Sequence, residues 1–258
     1  MKTKTKFTLG AAALLVAVLA VVLTVVAFSL GAVVKKGVET FGPSATRVDV
    51  KLKSADVSLF AGRGQLAGFV LGNPPGCKTP AAIVVDKVSF RVKRGSVFSD
   101  KVVVESLQIN APVITLEGGV SDNNLKTIEK NLEDYCASPS TTPKPPAPSS
   151  GPAKSGRTFQ VNELVITGAK LQINTTLSAN RTITVPIPDI HLAGLGTGPE
   201  GITAAELGQK VLRAVLAEAM TTAATTLAKE ANDLGKKTLG TARDAAQKAA
   251  GTLKGLIP

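Results

Sequence analysis

The side chains that could do chemistry are few. There is one histidine, His191, with Asp189 two positions before it; on a strand the two share a face. A metal centre needs three or four convergent Cys, His or carboxylate ligands, and no such cluster accompanies the pair. A Ser-His-Asp arrangement would have to use His191, and no GxSxG elbow exists. The glycines of "GRGQLAG" (62–68) lack the GxGxxG or GxxxxGK[ST] spacing of a phosphate cradle. They also follow a hairpin-like strand instead of opening a helix. His191 is therefore expected as a structural or surface residue, and the chain as a non-enzyme with no catalytic residue, metal site or cofactor. Cys77 and Cys136 are an even count. In an oxidising compartment they are candidates for a disulfide; as two unpaired small hydrophobes they need no partner. The residues leave both open.

Composition narrows the alternatives. The chain has 258 residues, 44% of them hydrophobic but only 3% aromatic, with no Trp. Aliphatic side chains must build the core, and binding by aromatic stacking on sugars or bases is disfavoured. The net charge of +11 is not on the body. Residues 1–36 hold five Lys and no acid, 137–157 hold three cations, and 201–258 hold eight cations against five acids. The remainder balances at 14 of each sign. A nucleic-acid binder concentrates its cations on one folded face, so no nucleic-acid partner is expected; basic flanks beside a membrane fit better.

The elements that must position anything begin with residues 9–34, "LGAAALLVAVLAVVLTVVAFSLGAVV", which carry no charge. A helix needs about 20 residues to cross the hydrocarbon core, and a cleaved signal has an apolar region of only about 7–15. An uncleaved single-pass anchor is expected, with the N-terminus inside because Lys2, Lys4 and Lys6 outnumber Lys35 and Lys36. In a double-membraned bacterium this places the chain in the inner membrane and its bulk in the periplasm. The domain reading is an anchor over 1–36, a β body over 37–200 and an Ala/Thr-rich helical tail over 201–258. Residues 137–157, nearly all Pro, Ser, Thr, Ala, Gly and Lys, form a disordered insertion.

Within the body, "TRVDVKLKSADVSLF" (46–60) alternates as a half-buried strand. Its parity slips after Ser54, as it does between Val85 and Val88, between Val104 and Leu107, and again before Ile114. Each slip calls for a bulge or turn, so a strongly curled sheet is expected. "SDNNLKTIEKNLEDYC" (121–136) is a short helix with Leu125, Ile128 and Leu132 on one stripe and Ser121 or Asp122 as cap. The prolines of "VPIPDIHL" (185–192) mark an edge strand. "TAAE" (203–206) is a capping box that starts a helix expected to reach about Asp233. Leu212, Ala223, Leu234, Ala245 and Leu256 recur every eleven residues along a gently right-handed seam.

One apolar skeleton is written twice. "VESLQINAPVITLE" (104–117) and "VNELVITGAKLQIN" (161–174) match at Val104/Val161, Leu107/Leu164, Ile109/Ile166, Ile114/Leu171 and Leu116/Ile173. The last four pairs are candidate lining residues of an apolar groove.

The order of these pieces carries a resemblance: an anchor, then "DVSLFAGRGQLAGFVLGNPPG", "VDKVSFRV", "SLQINAPVITLE", a helix with "NLKTI", and "VPIPDIHLAGLG". Over roughly residues 5–200 it resembles the AsmA-like family of envelope proteins, related to TamB-type and chorein-type lipid-transfer proteins. The resemblance implies an α+β, mainly β fold: an N-terminal transmembrane helix, a curled antiparallel β-taco-like sheet with a short helix, and here a long C-terminal amphipathic helix. It implies phospholipid or another envelope lipid as partner, bound in the apolar groove for lipid transport or envelope assembly, beside the inner membrane and other envelope proteins. Two alternatives stand beside it. One is a scaffold whose sheet is closed by its C-terminal helix; the other is a stress-protective protein, from the tail's eleven-residue recurrence.

Overall fold

The computed structural model describes residues 30–119, 122–137, 157–174 and 182–254. The apolar segment up to residue 29 and the Pro-rich stretch 138–156 lie outside the described residues. The described part of helix α1 covers residues 30–46. Strands β1 (Val50–Ser58), β2 (Arg63–Leu71) and β3 (Ile83–Val92) follow, then a 3-10 turn (Arg94–Ser96), β4 (Lys101–Asn110) and β5 (Val113–Glu117). Helix α2 (Asn124–Ala137) precedes β6 (Thr158–Thr167), β7 (Lys170–Asn174), β8 (Ile183–Pro186) and β9 (Ile190–Leu195), and α3 (Ala204–Lys254) closes the order. The fold is mixed α/β, with the nine strands in one sheet.

The resemblance implies an antiparallel sheet; the sheet is instead mixed. β4 pairs β6 and β5 pairs β7 in parallel; the remaining pairings are antiparallel. The reason is the crossover. α2 and the segment after it return the chain to the end where β4 began, so β6 runs the same way as β4. The duplicated skeleton is this pairing itself. Val104, Leu107 and Ile109 are Cα partners of Val161, Leu164 and Ile166, and Ile114 and Leu116 of Leu171 and Ile173.

The parity slips also have one common cause. From Ile83 to Arg91, β3 keeps a single register against β5 and β4, and β6 and β7 keep a single register against β9 and β8. The breaks fall on one transverse line through Lys53, Gly68, Asp86, Ala111, Gly168 and Pro188, the positions skipped between successive partners. Gly68, Ala111 and Gly168 have φ of 63, 47 and 64° on that line. Each strand inserts its extra residue at the same level, so the apolar side stays on one face without a register shift. Only the slip in β4 near Glu105 needs a true shift, opposite Arg91/Val92.

Cross-strand partners share a face, so the sheet reads as rows. Val50, Leu71, Ile83, Ile114, Leu171 and Val185 form one apolar row, and Ala55, Leu66, Val88, Ile109, Ile166 and Ile190 another across the line of breaks. The opposite face carries Asp56, Gln65, Ser89, Gln108 and His191. α1 flanks the free edge of β1: Glu39 Oε1 accepts from Leu52 N at 3.1 Å and Lys35 Nζ donates to Lys53 O at 3.2 Å. β8 and β9 form the other edge, where the prolines at 186 and 188 predict one.

The two ends of the sheet differ. At one end the β1–β2 turn meets β3 (Val92 N to Gly62 O, 2.8 Å), β6 starts (Thr158 N to Asp100 O, 3.0 Å) and α3 is fastened (Phe159 N to Ile202 O, 2.7 Å). α3 then runs antiparallel to α2, Arg213 meeting Glu129 and Met220 meeting Asn123. It leaves the body at the opposite end. At 51 residues it is about 77 Å long.

Candidate functional site

The eight residues proposed as a groove lining all lie on the apolar face, and the structure brings them together. Leu116, Leu164, Leu171 and Ile173 are fully buried, Ile114 and Ile166 nearly so, and Leu107 and Ile109 are half-buried against the same core. That core includes Leu125, Ile128 and Leu132 of α2 and Leu212, Val215, Leu216, Ala219 and Ala223 of α3. The stripe Leu125/Ile128/Leu132 is buried, as its spacing predicts. Over β5, β6 and β7 the apolar face is therefore filled by the chain's own helices.

The cover is built locally. The capping box forms as spaced: Thr203 N donates to Glu206 Oε2 at 2.7 Å and Glu206 N to Thr203 Oγ1 at 3.2 Å. The helix it starts runs on to Lys254, past the expected stop near Asp233. Asn123, not Ser121 or Asp122, caps α2, its Oδ1 accepting from Lys126 N at 3.0 Å. Arg213 clamps the helices together by meeting Glu129 at 3.1 Å and Glu133 at 3.6 Å. By length and composition Ala204–Asp233, with a mean hydropathy of 1.2, could cross a membrane; its apolar stripe is instead spent on the core.

A polar knot ties the loop "GNPPGCKTP" to the end of β5. Glu117 accepts from the backbone N–H of Lys78 and Thr79 and from Thr79 Oγ1. Asn124 Nδ2 donates to Asn73 Oδ1 at 2.7 Å and to Thr115 O at 2.8 Å, while its Oδ1 accepts from Glu117 N at 2.9 Å. Burial pushes the Glu117 carboxyl up, but these donors and the Lys78 ammonium outweigh it and hold it below its ordinary value. Sequence reasoning missed the knot, because partners 38 residues apart leave no local pattern.

The structure does not join Cys77 to Cys136; both are free thiols. Cys77 sits in the knotted loop and Cys136 in the last turn of α2. Burial pushes both up, aided by the Glu117 and Glu206 carboxylates respectively. Neither thiol has the electropositive setting that makes a reactive cysteine. His191 is exposed on the polar face. Asp189 serves the line of breaks, its Oδ1 accepting from Gly168 N at 3.1 Å. Among the described residues no group of three or more His, Cys, Asp or Glu is placed to hold a metal. A shallow groove of about 560 Å³ on the polar face is lined by Asp56, Arg63, Gln65, Ser89, Arg91 and Ser106.

No family model matches the chain, and no curated protein or solved structure does either.

Proposed function

We propose that the chain is a non-enzymatic, membrane-tethered scaffold of the cell envelope whose sheet is closed by its own C-terminal helix. The observation that carries this is the filled apolar face: Leu164 and Leu171 are completely buried in one core with Ala219 and Ala223 of α3. An apolar surface that is already covered has no need of a ligand to hide it from water. The apolar run over residues 9–34 supplies the tether, in the inner membrane with the bulk of the chain in the periplasm. The free edge of β8–β9 and the protruding part of α3 are surfaces for other envelope proteins. Ending the chain after Ile202 tests the closure. We expect the body to lose its cooperative unfolding transition, read by circular dichroism in urea. A sharp transition at an unchanged midpoint would overturn the reading.

A second reading has its own observation. The apolar rows cross every strand, and Leu107 and Ile109, beside the filled part, keep partial exposure. The aligned breaks are devices that bend strands, in keeping with a curled, AsmA-like groove. On that reading α3 is a displaceable cover and the occupant is phospholipid or another envelope lipid, each buried CH₂ worth about 0.8 kcal/mol. Native mass spectrometry of the full chain, released from detergent, should then show bound lipid. Its absence from wild type and from a chain ended after Ile202 counts against lipid handling.

A further inference from the structure

We propose that one end of the sheet docks on an anionic phospholipid surface. This rests on the membrane-tether reading and concerns two loops of the folded body, with Val33 at the end of the apolar segment beside them. Among the described residues the large hydrophobic side chains left exposed are Val33, Phe60 and Phe98, at 65, 72 and 82%. They are not scattered. Phe60 is in the β1–β2 turn and Phe98 follows the 3-10 turn, and Arg94 Nη1 joins the two loops by donating to Phe60 O at 3.3 Å. Arg157 Nη1 fastens the same loop at Val97 O, 3.2 Å away.

Val33 belongs to this end as well. α1 runs antiparallel to β1: Gly42 packs on Val50, Glu39 bonds Leu52 and Lys35 bonds Lys53. At Gly31 the helix lies so close to Ala55 O that a Cβ would sit 2.0 Å from it. Gly31, in the first described turn of α1, is therefore level with a residue three short of the end of β1, about 10 Å of strand. The apolar segment, residues 9–34, runs into this end of the body through the first described turns of α1. A tether at that point holds this end of the sheet against the bilayer it leaves, while α3 exits from the other end.

The chemistry suits such a surface. Arg63 and Arg91 are direct cross-strand partners, an arrangement that is unfavourable without an anion nearby. Neither forms an ion pair among the described residues. Lys93, Arg94, Lys101 and Arg157 lie at the same end of the sheet, as does the acidic Asp100. Exposed phenyl rings enter the interfacial layer while guanidinium groups meet phosphates above it. An acidic protein surface would satisfy the arginines but would leave the exposed rings of Phe60 and Phe98 beside the tether without a partner.

The test uses the full chain reconstituted in vesicles of phosphatidylcholine, with and without phosphatidylglycerol. Amide hydrogen exchange is followed at 59–62 and 94–100, with β6 amides as the control for folding. We expect the two loops to exchange more slowly with phosphatidylglycerol than in neutral vesicles or detergent. Arg63→Gln with Arg91→Gln should weaken the docked state about five-fold per cation removed, and Phe60→Ser with Phe98→Ser should abolish the slowing, β6 unchanged throughout. Equal exchange in both vesicles and in detergent, from a chain that resists carbonate extraction, overturns the docking and leaves the tether standing. Extraction of the wild-type chain by carbonate overturns the tether instead. Slowing by an added acidic protein, with none from the vesicles, also overturns it.

Discussion

Glu117 and Asn124 decide how the loop after β2 is held, and the decision depends on charge. In the folded chain the Glu117 carboxyl titrates below its ordinary value near 4.5 because backbone and hydroxyl donors favour the anion over the opposing effect of burial. A carboxyl lowered on folding adds stability that is fully present above its unfolded value and is lost as pH falls through the folded one. Glu117→Gln should therefore cost about 1 kcal/mol near neutral pH, measured by urea denaturation. The gap from wild type should narrow as pH drops below 4.5, since wild type then loses its anion too; a gap that stays constant as pH falls would reject the assignment. Asn124→Ala removes a side chain only 3% exposed that serves three partners. It should cost about 1–3 kcal/mol without this pH dependence. Such contacts were not legible in the sequence. Glu117 reads there as the polar end of a strand, and its partners lie in a loop whose conformation only the fold determines.

At the scale of the element, the line of breaks is the feature that lets an aliphatic sheet keep one apolar face. Ala111 holds a φ of 47° where Gly68 and Gly168 hold 63 and 64°, and a Cβ in that region costs about 1 kcal/mol or more. Ala111→Gly should therefore stabilise the chain by about 0.5–1 kcal/mol in urea. Gly168→Val should do the reverse and by more, with its amide still bound to Asp189. No gain from Ala111→Gly would mean that the break is not strained there. Much of this architecture was readable from residue order. The alternation marked the strands, "TAAE" marked the start of α3, and the slips marked the breaks. What alternation could not reveal is that the slips line up, because each is a local statement about one strand. Strand direction hid for a similar reason: the apolar period is the same in parallel and antiparallel ladders. A signal did exist, since two stretches that match without reversal at one constant spacing are in register only when they run the same way. α1 was missed because residues 30–46 read as the tail of the anchor and a loop.

At the scale of the molecule, α3 is two things joined end to end. Its buried residues are Ala205, Leu212, Val215, Leu216, Ala219 and Ala223, with Leu227 still touching the core; from Ala228 to Asp233 every residue is half-buried or exposed. The first half holds the sheet and the second reaches beyond it, carrying six cations against three acids between Lys229 and Lys254. Burying a large aliphatic side chain contributes about 1.5–3 kcal/mol. The three in the first half, with the sheet residues they cover, are thus comparable to the whole of a domain's usual 5–15 kcal/mol. Residues 228–233, all exposed, contribute little of this kind. Ending the chain after Ala228 should leave the urea midpoint within about 0.5 kcal/mol of wild type, whereas ending it after Ile202 should remove the transition. If both truncations were equally harmful, the protruding half would have to pack on something, and association of the chain through that half would be the first thing to examine. If only the shorter chain fails, the protruding half takes no part in closing the sheet, and its position is fixed by the core that the first half joins.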